Sequence, residues 1–263
     1  MVEAIIFDVD GTLADTEQQG HRPAFNAAFR QAGLDWHWDS ELYRRLLAVT
    51  GGKERIRAYA RDHDPKFLEA GDADARIAQL HRIKTEQFVA RLEAGGIPLR
   101  PGVARLLDEA RREGRRLAIA TTTTARNVEA LIENALGHEA LTWFEVIAAG
   151  DVVAHKKPAP DIYQVCLGRL GLAPARCVAI EDTRNGLLAA RGASLTTLIT
   201  TTPETAEQDF SEAELVLDGL GEPDTPVTVH GARVAVPALA SPGAYVTVAL
   251  LDELLAAAHR AAV

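Results

Sequence analysis

Cysteine is scarce in this chain: Cys166 and Cys177 are the only two in 263 residues. Their spacing fits neither a metal site nor a disulfide framework, so both are expected to be core thiols in a reducing cytoplasm. Also lacking is an apolar stretch long enough to cross a bilayer, and Glu3 stands where a signal peptide would be basic. No membrane association is expected. Lysine and arginine gather in no run, and a net charge of −9 opposes a polyanion, which excludes nucleic acid as a partner. A small anionic substrate must then be met by local positive charge. The 47% hydrophobic content suits one large α/β domain or a core with a smaller insert.

The segment on which the rest turns is Ile5-Ile6-Phe7-Asp8-Val9-Asp10-Gly11-Thr12-Leu13. Its isoleucine and valine residues predict a buried parallel strand, with Gly11 at the turn that ends it. Asp8 and Asp10 then lie at the carboxyl end of the strand, where open α/β sheets bind ligands. Two carboxylates so close repel unless neutralised, and a hard divalent cation, magnesium first, would take their oxygens and still leave positions for phosphate.

From Ala14 to about Gly95 no second strand-like run occurs, and the segment is expected to be a helical insert. Pro23 suits the first turn of a helix carrying Ala24, Phe25, Ala28 and Phe29, and Ser40 is the expected N-cap of a helix over 41–48. Thr50-Gly51-Gly52-Lys53-Glu54-Arg55 is either a second phosphate site, with glycine amides at a helix start and Lys53 as the charge, or an ordinary glycine-containing helix connection. A linker at 95–102 returns the chain to the core, and two crossings, near Ala14 and Gly96, would make a double hinge.

Beyond the linker, helix and strand alternate, which predicts a doubly wound, Rossmann-like parallel sheet. Expected strands are 117–120, 146–149, 177–180, 195–199 and 215–217, and expected helices are 103–113, 125–136, 161–170 and 185–191. The strand ends carry polar groups: Thr121 and Thr122 with Arg126 and Asn127 behind them, Lys157 in a proline-stiffened loop, and Glu181-Asp182, a second carboxylate pair that completes a magnesium site with Asp8 and Asp10. Near the carboxyl terminus, residues 227–229 and 233–236 flank a turn at His230-Gly231, and an amphipathic helix covers 246–261. That segment is expected to be a core edge or an oligomer contact.

These four motifs, in order and each at a strand end, resemble those of the haloacid dehalogenase superfamily. The resemblance implies a core of residues 1–14 with 97–263 and a helical cap of residues 15–96. It implies Asp8 as nucleophile, Asp10 as general acid and base, Thr121 and Lys157 as phosphate-binding catalytic residues, and Glu181 and Asp182 as metal acids beside Asp8 and Asp10, with Mg2+ as cofactor. Within the superfamily, stretches such as Thr50-Gly51-Gly52-Lys53-Glu54-Arg55-Ile56, Glu181-Asp182-Thr183-Arg184-Asn185 and Thr205-Ala206-Glu207-Gln208-Asp209-Phe210 resemble the CbbY group. That group comprises xylulose-1,5-bisphosphate phosphatases, which remove an inhibitor of Rubisco in the Calvin cycle.

A sugar bisphosphate would place its second phosphate on Gly51, Gly52 and Lys53 with help from Lys84 or Arg126, while Thr122 supports the first. Glu17 and His21 would read sugar hydroxyls, although Gln18, Gln19 and Gly20 make the segment between them longer than in some members of the family. The rivals are a β-phosphoglucomutase-type isomerase, a phosphoglycolate phosphatase, and a catalytically silent sugar-phosphate sensor. A monomer or small homo-oligomer is expected.

Overall fold

The structure is a computed structural model, and it describes residues 1–69 and 71–261. Strand β1 (Ala4–Phe7) is followed by a π-helical turn (Glu17–His21) and five helices: α1 (Arg22–Gln31), α2 (Ser40–Leu46), α3 (Gly52–His63), α4 (Pro65–Glu69) and α5 (Ala73–Glu93). Helix α6 (Val103–Arg112) then leads into β2 (Arg116–Thr121), α7 (Ala125–Leu136), β3 (Phe144–Ala149), α8 (Asp161–Leu170), β4 (Cys177–Glu181), α9 (Arg184–Gly192), β5 (Thr196–Thr200) and β6 (Leu215–Leu217). Strand β7 (Val229–Ala232) and helix α10 (Val248–Ala261) end the described chain.

The sheet runs β3-β2-β1-β4-β5-β6-β7, parallel except for β7. Strand order reverses at β1, so the crevice at the switch point opens beyond Phe7, where Asp8 begins. Residues of β1 alternate between two apolar layers. Ile5 and Phe7 join Val103, Leu106, Val128 and the α10 leucines on one face. Ala4 and Ile6 join Ile162, Tyr163 and Cys166 of α8 on the other. Burial on both faces explains why the strand reads as a continuous apolar run.

The inserted helices carry a separate apolar cluster in which Phe25, Phe29, Trp36, Trp38 and Tyr43 pack. Asn26 pins it by exchanging two 2.8 Å hydrogen bonds with the backbone of Trp38. The two crossings meet directly, because Ala14 and Leu99 form an antiparallel bridge and Arg100 N–H bonds the Leu13 carbonyl at 2.8 Å.

Two local expectations are corrected. Helix α2 begins at Ser40, and Asp39 caps it by accepting from Leu42 N–H at 2.8 Å, an extended residue one place earlier than expected. The expected turn at His230-Gly231 is instead inside β7, which adds to β6 in antiparallel register with Gly231 opposite Val216. Helix α10 packs its leucines into the main core, so the carboxyl-terminal segment is a core edge. Both thiols are buried, and no helix among the described residues is long and apolar enough to cross a membrane.

Candidate active site

Asp8 continues the ladder by bonding its N–H to Ile180 O at 3.0 Å, and the chain then turns sharply over residues 9–14. Gly11 has φ +86°, and a β-carbon there would lie 2.0 Å from Asp182 Oδ2. Only glycine lets the turn approach the second acidic pair this closely.

Beneath the turn, Lys157 Nζ donates to Asp8 Oδ1 at 2.6 Å, Glu181 Oε1 at 2.5 Å and the Ala120 carbonyl at 2.8 Å, which uses all three ammonium protons. Tyr163 OH donates to the same Glu181 oxygen at 2.5 Å. One oxygen from each of Asp8, Glu181 and Asp182 lies within 4.8 Å of the others, and Asp182 Oδ1 is buried without a hydrogen-bond partner. Three buried carboxylates therefore face one ammonium. Burial, with Glu181 and Asp10 adding to it, pushes Asp8 up to about 8 against the pull of Lys157. Burial, with Asp8 and Glu181 adding to it, raises Asp182 well above the carboxylate range. Burial alone would lower Lys157, but Asp8 and Glu181 outweigh it and hold the ammonium charged. An all-oxygen set with an orphaned oxygen and excess negative charge fits a hard divalent cation on Asp8, Glu181 and Asp182.

The Asp10 side chain is not in that cluster, a correction to its expected place among the metal acids. Its Oδ1 accepts from Thr16 Oγ1 at 2.6 Å and pairs with His21 Nε2 at 2.8 Å. His21 Nδ1 in turn lies 2.8 Å from Lys84 Nζ, which only donates when charged, so Nδ1 accepts and the Nε2 proton points to Asp10. Burial would raise Asp10, but His21, Thr16 and Lys84 overcome it and hold the carboxyl well below its usual range.

The residues between Glu17 and His21 are absorbed by the π-helical turn, a form often found at functional sites. Gly20 makes the turn possible, since a β-carbon would sit 2.6 Å from both Ile97 and Phe88. His21 stacks on Phe88 with ring centres 4.1 Å apart. Glu17 accepts from Tyr43 OH and lies 3.8 Å from Arg55, whose Nη1 donates to Tyr43 OH at 2.9 Å.

A cleft of about 200 Å3 lies over this floor, lined by Asp8, Asp10, Thr121, Thr122, Lys157 and Asp182 and walled by Glu17, Thr50 and Arg55 from the inserted segment. A small chamber of about 40 Å3 adjoins it, where Gly51 and Gly52 meet His21, Arg55 and Lys84. Two expected second-phosphate residues lie elsewhere. Lys53 reaches across to pair with Asp151 at 2.5 Å on the surface, and Arg126 lines a separate shallow groove with Lys53, His81 and Arg82.

Sequence reasoning missed Arg55, although it stands one helical turn past Gly51 and its N–H bonds the Gly51 carbonyl. It also missed residues 202–205, which wall the cleft from beyond β5. Applying the strand-end rule to β5 as well as to the first four strands would have found them.

A family model for haloacid dehalogenase-like hydrolases matches residues 2–194. The chain belongs to that family and is a phosphatase of the haloacid dehalogenase type. It is 51% identical over 229 residues to the plasmid CbbY protein of Cupriavidus necator, covering 87% of this chain and 90% of that protein. It is 33% identical to the fructose-1-phosphate phosphatase YqaB of Escherichia coli, covering 73% of this chain and 92% of that protein. The crystal structure of a mutant CbbY from Rhodobacter sphaeroides in complex with xylulose-1,5-bisphosphate is similar to it, with TM-score 0.78 and 52% identity over 83% of this chain and 95% of that one.

Proposed function

We propose that this phosphatase dephosphorylates xylulose-1,5-bisphosphate to xylulose-5-phosphate through an aspartyl-phosphate on Asp8, with Mg2+ held by Asp8, Glu181 and Asp182. Residues 15–96 would act as the cap over a core of residues 1–14 and 97–263. The observation that carries the reading is the two-part cavity: an acid cluster with Lys157 at one end, and Arg55, Lys84 and the Gly51-Gly52 start of α3 at the other. A ligand with an anionic group at each end matches that division. The likeness to the CbbY structure carrying xylulose-1,5-bisphosphate supports the same substrate.

Bound Mg2+ would neutralise phosphoryl oxygens and the crowded carboxylates. The Thr121 hydroxyl would hold a remaining oxygen, while Lys157, its three protons on Asp8, Glu181 and the Ala120 carbonyl, fixes the Asp8 carboxylate toward phosphorus and adds positive charge beside the phosphoryl group. An Asp8 oxygen bonds phosphorus as the bond to the sugar oxygen breaks, and Asp10 gives that oxygen its proton. Water then attacks the acyl phosphate, Asp10 takes its proton back, and phosphate leaves. Asp10 is ionised in the resting site, ready for the second half. For the first half it takes a proton from solvent as the substrate binds, its affinity raised by the incoming phosphate dianion, and passes that proton to the leaving sugar oxygen.

The test is magnesium-dependent phosphate release from xylulose-1,5-bisphosphate, ribulose-1,5-bisphosphate, phosphoglycolate and β-glucose-1-phosphate at equal concentration. A preference for the xylulose compound of orders of magnitude in kcat/KM supports the proposal. Flat, slow hydrolysis of all four overturns the substrate. Accumulation of a long-lived aspartyl-phosphate that needs a hexose bisphosphate primer would make the protein an isomerase, and tight binding without turnover a sensor.

A further inference from the structure

The wall formed by residues 202–205 is a loop that follows β5 of the core sheet, and it lines the cleft together with residues of the inserted helical segment. It is built to be stiff. Thr202 N–H donates to Thr205 Oγ1 at 2.9 Å, and Thr202 O accepts from the N–H groups of Thr205 and Ala206 at 3.1 and 2.9 Å. Glu204 N–H reaches Thr202 Oγ1 at 3.3 Å, and both threonines are buried. The loop is also anchored from behind: Arg100 donates to Thr200 O at 3.1 Å and to Thr201 O at 2.6 Å.

What this frame presents is Glu204. Its side chain is half-buried on the cleft wall, and its carboxylate has neither a hydrogen bond nor an ion pair among the described residues. The other carboxylates of the cleft around it are engaged: Asp8 by Lys157, Asp10 by Thr16 and His21, Glu17 by Tyr43, and Asp15 by Arg100 at 3.4 Å. Asp182 belongs to the acid cluster. An unpaired carboxylate is a poor neighbour for a phosphate but a strong acceptor for hydroxyl protons. It sits on a preorganised loop, so little ordering is needed when such hydroxyls arrive.

We infer that Glu204 is a specificity-determining residue that accepts hydrogen bonds from the hydroxyls of the sugar chain, held in place by the Thr202–Thr205 loop. The inference rests on the sugar-phosphate reading above. It places recognition of the polyol partly on the core, where cap movement does not disturb it.

The test compares Glu204→Ala and Thr205→Val with the parent enzyme on xylulose-1,5-bisphosphate and on p-nitrophenyl phosphate, which carries a phosphoryl group and no hydroxyls. Glu204→Ala is expected to lower kcat/KM for the sugar bisphosphate about tenfold or more, the size of a lost hydrogen bond to a charged group, and to leave p-nitrophenyl phosphate within twofold. Thr205→Val, which loosens the loop and keeps the carboxylate, is expected to raise KM for the sugar with kcat and p-nitrophenyl phosphate hydrolysis unchanged. An equal loss on both substrates, no loss on either, or faster turnover of both would overturn the inference, the last because Glu204 would then only repel anions. If the parent enzyme shows no preference for the sugar over p-nitrophenyl phosphate, the sugar-phosphate reading fails first, before any variant is compared, and the inference falls with it.

Discussion

Arg55 and Glu17 stand 3.8 Å apart with the Tyr43 hydroxyl joining them, donating to Glu17 and accepting from Arg55 at 2.9 Å. Arg55 is a buried cation that lines both the cleft and the adjoining chamber. Arg55→Met is therefore expected to lower kcat/KM for a sugar bisphosphate by about ten- to a hundredfold, the range of a lost charged hydrogen bond. Hydrolysis of p-nitrophenyl phosphate should hold within a few-fold. Steady-state kinetics on the two substrates check this, and a parallel loss on both would move Arg55 from the remote phosphate to the general support of the site.

Asp8→Asn should abolish phosphate release and leave the fold intact. The same substitution removes one of three buried carboxylates crowded about Lys157, and burial already pushes the Asp8 carboxyl up to about 8. The melting temperature in metal-free buffer should thus equal or exceed that of the parent protein. Phosphate release at near-normal rate by this variant would sink the covalent mechanism.

Magnesium should stabilise the folded protein in proportion to its occupancy, by about 2.7 kcal/mol at a hundred times its dissociation constant. Asp182 supplies the orphaned buried oxygen of the cluster, so Asp182→Asn should lose most of that gain while folding normally without metal. Thermal melts across a magnesium titration, read against calcium and against no metal, measure it without relying on turnover.

Much of this site was legible in the sequence because its floor is set by strand ends. Asp8, Thr121 and Glu181 each close an apolar run, Lys157 lies in the loop that follows β3, and a parallel sheet brings such ends to one edge whatever lies between them. The cap was harder. Whether Lys53 or Arg55 enters the chamber depends on the rotation of α3 about its axis, and residues two positions apart on a helix differ by about 200° in direction. Lys53 faces Asp151 and Arg55 faces Tyr43. The lengthened segment at Gln18, Gln19 and Gly20 was visible as a departure, but a π-helical turn that keeps both Glu17 and His21 at the adjoining chamber rests on the close approach of Gly20 to Phe88 and Ile97, which are distant in sequence. The separation of Asp10 from the metal acids was hidden for a related reason, since alternation along a strand ceases at the turn after Phe7.

Lys84 gives the site a pH-dependent contribution to stability whose sign follows from burial. Burial pulls its ammonium down to about 8, with Asp10 and Glu17 favouring the charge and Arg55 opposing it, whereas an exposed lysine titrates near 10.5. Below about 8 both the folded and the unfolded chain hold the proton, and the cost of burying it is constant. Between about 8 and 10.5 the unfolded chain binds a proton that the folded chain has released, so stability rises with pH across that window. Relative to Lys84→Met, the parent protein should gain on the order of 3 kcal/mol between pH 7 and pH 11. Cys166 and Cys177, pushed up by burial to about 12 and 11, act the other way above about 9, but they do so in both proteins and cancel in the difference. Urea unfolding of the pair at pH 7, 9 and 10.5 measures it. A difference that stays constant over this range would show that Asp10, through His21, holds Lys84 charged against its burial.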